Sequence, residues 1–206
     1  MDAFHGLVSK TLCPYAKTAK VWYGPDWDAR ATYFGNIQSQ ASSLGQFTAV
    51  AEAQRYAGFV SEIVIGPQAM ELPAVKMAFR DYLRALARTD ECCARCMDRD
   101  VSDRSWQFEY NNLRMFLNVF APCYRAPHSK LVDTKDRFFV FFQPEISFGY
   151  CGINPQNRTA KESIRAAFAN AGMAYNGAAI DARIEAELYM FPDKAAALPV
   201  RWWLDE

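Results

Sequence analysis

The chain has 206 residues, 23 Lys plus Arg balanced by 23 Asp plus Glu, and 51% apolar residues, totals that fit one globular domain around a single core. A formal net charge of zero leaves no global attraction for nucleic acid or anionic lipid, and no stretch approaches the roughly 20 apolar residues of a membrane span. The start, Met-Asp-Ala-Phe-His-Gly, lacks the basic and apolar regions of a signal peptide, so a cytoplasmic protein is expected, with its six cysteines as thiols and no nucleic-acid or membrane partner.

The first fifty residues carry little periodic pattern. His5 stands in a terminal segment expected to be mobile, and Thr11 to Trp27 reads as an ordered loop or short helix carrying aromatics. Phe59 to Ile65 is short, β-branched and closed by Gly66-Pro67, which predicts a strand and a break. Pro73 suits a first helical turn, and Val75, Phe79, Tyr82, Leu83 and Leu86 then form one apolar stripe of an amphipathic helix. Trp106, Phe108 and Tyr110 alternate with polar residues before Asn111-Asn112 and Leu113 to Phe120, the pattern of a β-hairpin. Arg137 to Gln143 is nearly continuous Phe and Val, as in a strand covered on both faces. Thr159 to Ala169 and Ile180 to Tyr189 read as helices, and Val200 to Leu204 as a terminal strand. The order predicts a single-domain α+β fold, an antiparallel sheet with helices gathered mainly on one side.

The richest polar cluster is Ala121 to Lys130, which places an imidazole, a thiol, a phenol, a hydroxyl and two cations within ten residues stiffened by two prolines. His128 there can ligate a metal or a heme iron through one ring nitrogen, and Arg125 or Lys130 could pair with propionates or a substrate carboxylate; a plain solvated loop accounts for the same residues. The aromatics from Trp106 to Phe148 could wall a flat pocket or simply fill the core. Cys93-Ala94-Arg95-Cys96 is half of a zinc or dithiol site with no second half at the usual spacing. No Gly-rich nucleotide loop, serine-hydrolase elbow or zinc-protease helix motif occurs.

Several segments in order resemble the YqcI/YcgG family, which includes heme-dependent N-hydroxylases. They are Leu12-Cys13-Pro14-Tyr15-Ala16 through Trp22-Tyr23-Gly24, then Phe79-Arg80-Asp81-Tyr82-Leu83 through Asp90, and the strand pair around Trp106-Gln107-Phe108 and Met115-Phe116-Leu117. Ala121-Pro122 through His128-Ser129-Lys130 and Val140-Phe141-Phe142-Gln143-Pro144-Glu145 through Phe148 follow in the family's order. Ala121 and Glu145 stand where the family has histidines, so neither ligand transfers in place. The resemblance implies a heme oxygenase acting on a small guanidine- or amine-containing metabolite. It implies His128 as the iron ligand, with Cys13 as the alternative axial donor and Cys123 or Tyr124 behind it. Trp106, Phe108, Phe142 and Phe148 would then wall the heme pocket, with Arg125 and Lys130 as cationic anchors.

Two other readings stand beside it. One is a non-catalytic module that holds a small apolar ligand or another subunit, a homodimer included, through the same aromatics. The other is a thiol or zinc protein built on Cys93 and Cys96.

Overall fold

The computed structural model describes residues 2–92, 95–150, 158–173, 184–194 and 197–205. Their elements are α1 (Asp2–Lys10), α2 (Pro14–Lys17), β1 (Val21–Tyr23), α3 (Tyr33–Val50), β2 (Gly58–Val64), α4 (Leu72–Ala87), β3 (Phe108–Tyr110), β4 (Leu113–Phe120), β5 (Arg137–Pro144), α5 (Ser147–Tyr150) and α6 (Arg158–Asn170). The strands form one sheet in the order β1-β2-β5-β4-β3. This is the expected α+β fold, with two differences: helices flank both faces of the sheet, α3 and α4 on one and α1 and α6 on the other, and the sheet is mixed. β1 joins β2 in parallel, because the chain between them returns through α3, while the other pairs are antiparallel.

Strand alternation divides the sheet into two faces. Phe59 and Ile63 of β2, Met115, Leu117 and Val119 of β4, and Phe138, Val140 and Phe142 of β5 point into the main core under α3 and α4. The stripe expected on α4 is the buried one: Val75, Phe79, Tyr82, Leu83 and Leu86 are all enclosed. A buried polar chain ties these layers together, since Tyr82 and Ser61 share a 2.6 Å hydrogen bond, Ser61 donates to Gln40 Oε1 at 3.0 Å, and Gln40 Nε2 donates to the Pro25 carbonyl at 2.6 Å. The hairpin turn also forms as expected, with Asn111 and Asn112 at φ 51° and 60°.

The opposite face carries a smaller core. Phe4 of α1 packs on Phe120 and Phe139, at ring separations of 5.4 and 5.6 Å, and Val60 and Val132 complete the cluster. The terminal segment expected to be mobile is therefore helix α1, anchored by Phe4. His5 stacks on Tyr23 at 4.0 Å.

The C-terminal expectations change. Val200 to Leu204 does not pair with the sheet; it turns so that Trp202 enters the main core against Phe79, 4.8 Å away, and donates to the Ala186 carbonyl at 2.7 Å. Of the helix expected from Ile180, residues 180–183 lie outside the described residues, and Glu185–Leu188 is a single 3-10 turn. No helix among the described residues is long and apolar enough to cross a membrane.

Close packing makes one stability prediction. A Cβ on Gly58 would fall 2.3 Å from the Phe141 ring and 2.7 Å from the Phe142 carbonyl, whereas one on Gly45 meets nothing within 4 Å. Gly58→Ala is expected to lower unfolding free energy by about 3 kcal/mol through overpacking. Gly45→Ala, inside α3, should raise it by roughly 0.5–1 kcal/mol. Urea denaturation of the two variants checks both signs.

Candidate functional site

On the second face, between the sheet, α1 and α6, lies a cavity of about 640 Å³. Its floor is the outward-facing row of β4 and β5, Phe116, Asn118, Phe120, Phe141 and Gln143, and its walls include Leu7 and Val8 of α1 and Ile164 and Phe168 of α6. The volume is within the range of small-molecule sites, and a mostly apolar lining with few polar groups is their usual chemistry.

One polar group is Lys130. The loop after β4 turns back so that the Ala121 amide donates to the Lys130 carbonyl at 3.1 Å, which sends the side chain along the sheet face. Its ammonium donates to Asn118 Oδ1 and lies 4.6 Å from the Phe120 ring centroid and 5.3 Å from that of Phe191. Loss of water around the charge pulls the Lys130 pKa down to about 8, partly countered by Cys13. Cys13 and Ser129 line the same cavity, and Ser129 Oγ is buried with no hydrogen-bond partner among the described residues.

A second polar group lies beside Phe116. Glu185 accepts from Gln107 Nε2 at 2.7 Å and from the Tyr189 hydroxyl at 3.2 Å, and burial raises its carboxyl above the ordinary range. Gln107 Oε1 is buried without a partner among the described residues.

His128 does not line this cavity. Its ring stacks on Tyr124 at 4.4 Å with 6° between planes. Nδ1 accepts the Lys130 amide at 3.0 Å, and the Pro192 carbonyl takes the ring N–H. Desolvation, with the Lys130 charge behind it, lowers its pKa to about 4, so the imidazole is neutral at pH 7 with both nitrogens engaged. His128, expected as the iron ligand, thus stands outside the cavity, and ligation through Nδ1 would take the place of its hydrogen bond from the Lys130 amide.

The remaining expected residues separate by face. Cys13, Lys130 and Phe148 come together around the cavity. Trp106, Phe108 and Phe142 belong to the main core on the other side of the sheet, where Phe108 and Phe142 pack at 5.6 Å and Trp106 faces Trp202 at 6.0 Å. They do not wall the cavity. Arg125 is exposed, with Glu71 at 4.0 Å as its ion-pair neighbour. Cys123 is buried, which pushes its thiol up to about 12, and burial also raises Tyr124.

Cys93 lies outside the described residues, Cys96 is buried, and the Cys92 thiol donates to Asn111 Oδ1 at 3.2 Å. Among the described residues no group of three or more His, Cys, Asp or Glu side chains is placed to hold a metal ion.

Asn118, Gln107 and Glu185 are cavity residues that the sequence reading passes over. Asn118 carries a signal all the same, being the one polar side chain between Phe116 and Phe120 on the outward row of β4. The chain matches no family model, no curated protein and no solved structure.

Proposed function

We propose that this chain binds a small amphipathic ligand in the outer-face cavity, with its apolar body on Phe116, Phe120 and Phe141 and its polar end at Lys130 and Asn118. The observation that carries the reading is a lysine ammonium held at the wall of an aromatic cavity, where its described partners are an amide oxygen and two ring faces. Burying a charge without a carboxylate partner costs free energy, and a ligand that satisfies it recovers that cost on binding. A reducing, cytoplasmic setting goes with this reading, in which Cys13 acts as a thiol.

The test is titration with anilinonaphthalene sulfonate, an apolar anionic fluorophore. Wild type should bind it saturably. Val8→Trp, which fills part of the cavity, should weaken binding by about tenfold or more, and Met77→Lys, on an exposed part of α4, should leave it unchanged. Equal binding by all three, with folding checked by circular dichroism, would sink the reading.

Heme binding is a second reading, supported by the resemblance and by the place of Cys13 in an aromatic-walled cavity. In it Cys13, not His128, would hold the iron, and Lys130 would pair with a propionate. Bound iron would supply oxygen chemistry, while the chain excludes water and positions the substrate. Titration with hemin should then give a thiolate-type spectrum that Cys13→Ser abolishes; an identical spectrum in that variant would reject the ligand.

A further inference from the structure

We infer that Lys130 captures a carbonyl ligand, an aldehyde or ketone with an apolar tail, as an imine in the outer-face cavity. The inference rests on the ligand-site reading above and names the chemistry of the ligand's polar end. Three observations converge on it. Lys130 Nζ is at the cavity wall, held toward Asn118 Oδ1 and flanked by the rings of Phe120 and Phe191 at 4.6 and 5.3 Å. None of these partners is a carboxylate that would hold the nitrogen as a fixed ammonium. The neighbouring residue Ser129 lines the same cavity, and its Oγ is buried without a partner among the described residues.

A lysine surrounded by apolar groups gives up its proton more readily than a solvated one, and the neutral amine is the nucleophile in imine formation. Burial brings the Lys130 pKa to about 8, so a usable neutral fraction exists near pH 7. Titratable neighbours are Cys13, from the segment before α2, and His128 of its own loop, which stays neutral. In the reaction Nζ attacks the carbonyl carbon to form a C–N bond. One N–H proton passes to the former carbonyl oxygen to give the carbinolamine, whose hydroxyl takes up a proton from solvent and leaves as water as the C=N bond forms; the iminium keeps the last N–H, and its loss gives the neutral imine. Electrons balance without an oxidant or reductant. The flanking ring faces favour the cationic, protonated form of the product.

The experiment is reductive trapping of the full chain with octanal and sodium cyanoborohydride at pH 7. The intact mass should gain one octyl group, and peptide mapping should place it on Lys130 at a rate about tenfold or more above that of other lysines and the α-amine. Lys130→Arg, which keeps a cation, should lose the fast phase. In parallel, octanol is used to displace anilinonaphthalene sulfonate. Displacement by octanol without fast labelling of Lys130 would overturn the imine and leave the ligand site standing. Failure of both octanol and octanal to displace the fluorophore would overturn the ligand site itself. Labelling spread evenly over the lysines also rejects the inference.

Discussion

Lys130→Met is expected to be more stable than wild type at pH 7, by about 2 kcal/mol, while losing affinity for anionic ligands. The folded protein holds this lysine at a pKa of about 8 because the ammonium loses water against Phe120 and Phe191. An unfolded lysine titrates near 10.4, and the difference, discounted for partial exposure, gives the quoted magnitude. The sign follows from proton binding. Between about pH 8 and pH 10.4 the unfolded chain holds the extra proton, so wild-type stability contains a contribution that rises with pH. Below pH 8 the full cost of burying the ammonium applies. Methionine has similar length and no charge, so the variant lacks this rise, and its advantage should shrink to nothing near pH 10.5. Urea denaturation across that range measures it. A Lys130→Met variant less stable than wild type at pH 7 would mean that the ammonium is better satisfied than the contacts to Asn118 and the two rings provide.

The second large effect concerns His128. His128→Phe keeps an aromatic ring against Tyr124 but leaves the Lys130 amide and the Pro192 carbonyl without their ring partner, so a loss of about 3 kcal/mol at pH 7 is expected. The imidazole titrates at about 4 when folded and near 6.5 when unfolded, so its neutral form contributes fully above pH 6.5 and that contribution is lost as pH falls toward 4. Wild type should therefore lose about 2 kcal/mol across this window, an amount discounted for partial exposure, and His128→Phe should not. Equal acid sensitivity of the two proteins would show that His128 titrates alike in the folded and unfolded chain, so that burial does not hold it neutral. That would remove the account of its two engaged nitrogens.

The physical reason some elements can be read from the residues and others cannot is visible in two helices. α4 announces itself because its buried positions are Val75, Phe79, Tyr82, Leu83, Leu86 and Ala87, all apolar on one stripe. α3 is longer, yet its buried positions include Asn36 and Gln40, which hydrogen-bond to the Asp28 and Pro25 carbonyls, and the small Ala41. A helix that buries amides has no continuous apolar stripe, so periodicity passes over it. The terminal strand expected at Val200 to Leu204 fails for a related reason. Its apolar content serves one inserted side chain, Trp202, and not a ladder.

The site divides in the same way. Local composition brings out Lys130, Cys13 and Phe148, but which side of the sheet an aromatic faces depends on strand register. One residue separates Phe141, on the cavity floor, from Phe142, in the main core. Phe108, paired with Met115, falls with Phe142 for that reason, and Trp106 lies just before the strand in the same core. His128 lies two residues from Lys130 and in the same loop, but it turns toward Tyr124 and Pro192. Glu185 and Gln107 meet only because the segment after α6 returns to the sheet edge, a contact between residues 78 apart that no local pattern encodes.

The most direct measurement on the outer-face cavity is a pair of calorimetric titrations at pH 7, with octanoate and octanol, on wild type and Lys130→Met. Wild type should bind both and prefer octanoate by about tenfold, near 1.4 kcal/mol, and Lys130→Met should bind octanol as before but lose the preference. No saturable binding of either compound to wild type, or a preference for octanoate that survives in Lys130→Met, would contradict the proposed ligand site.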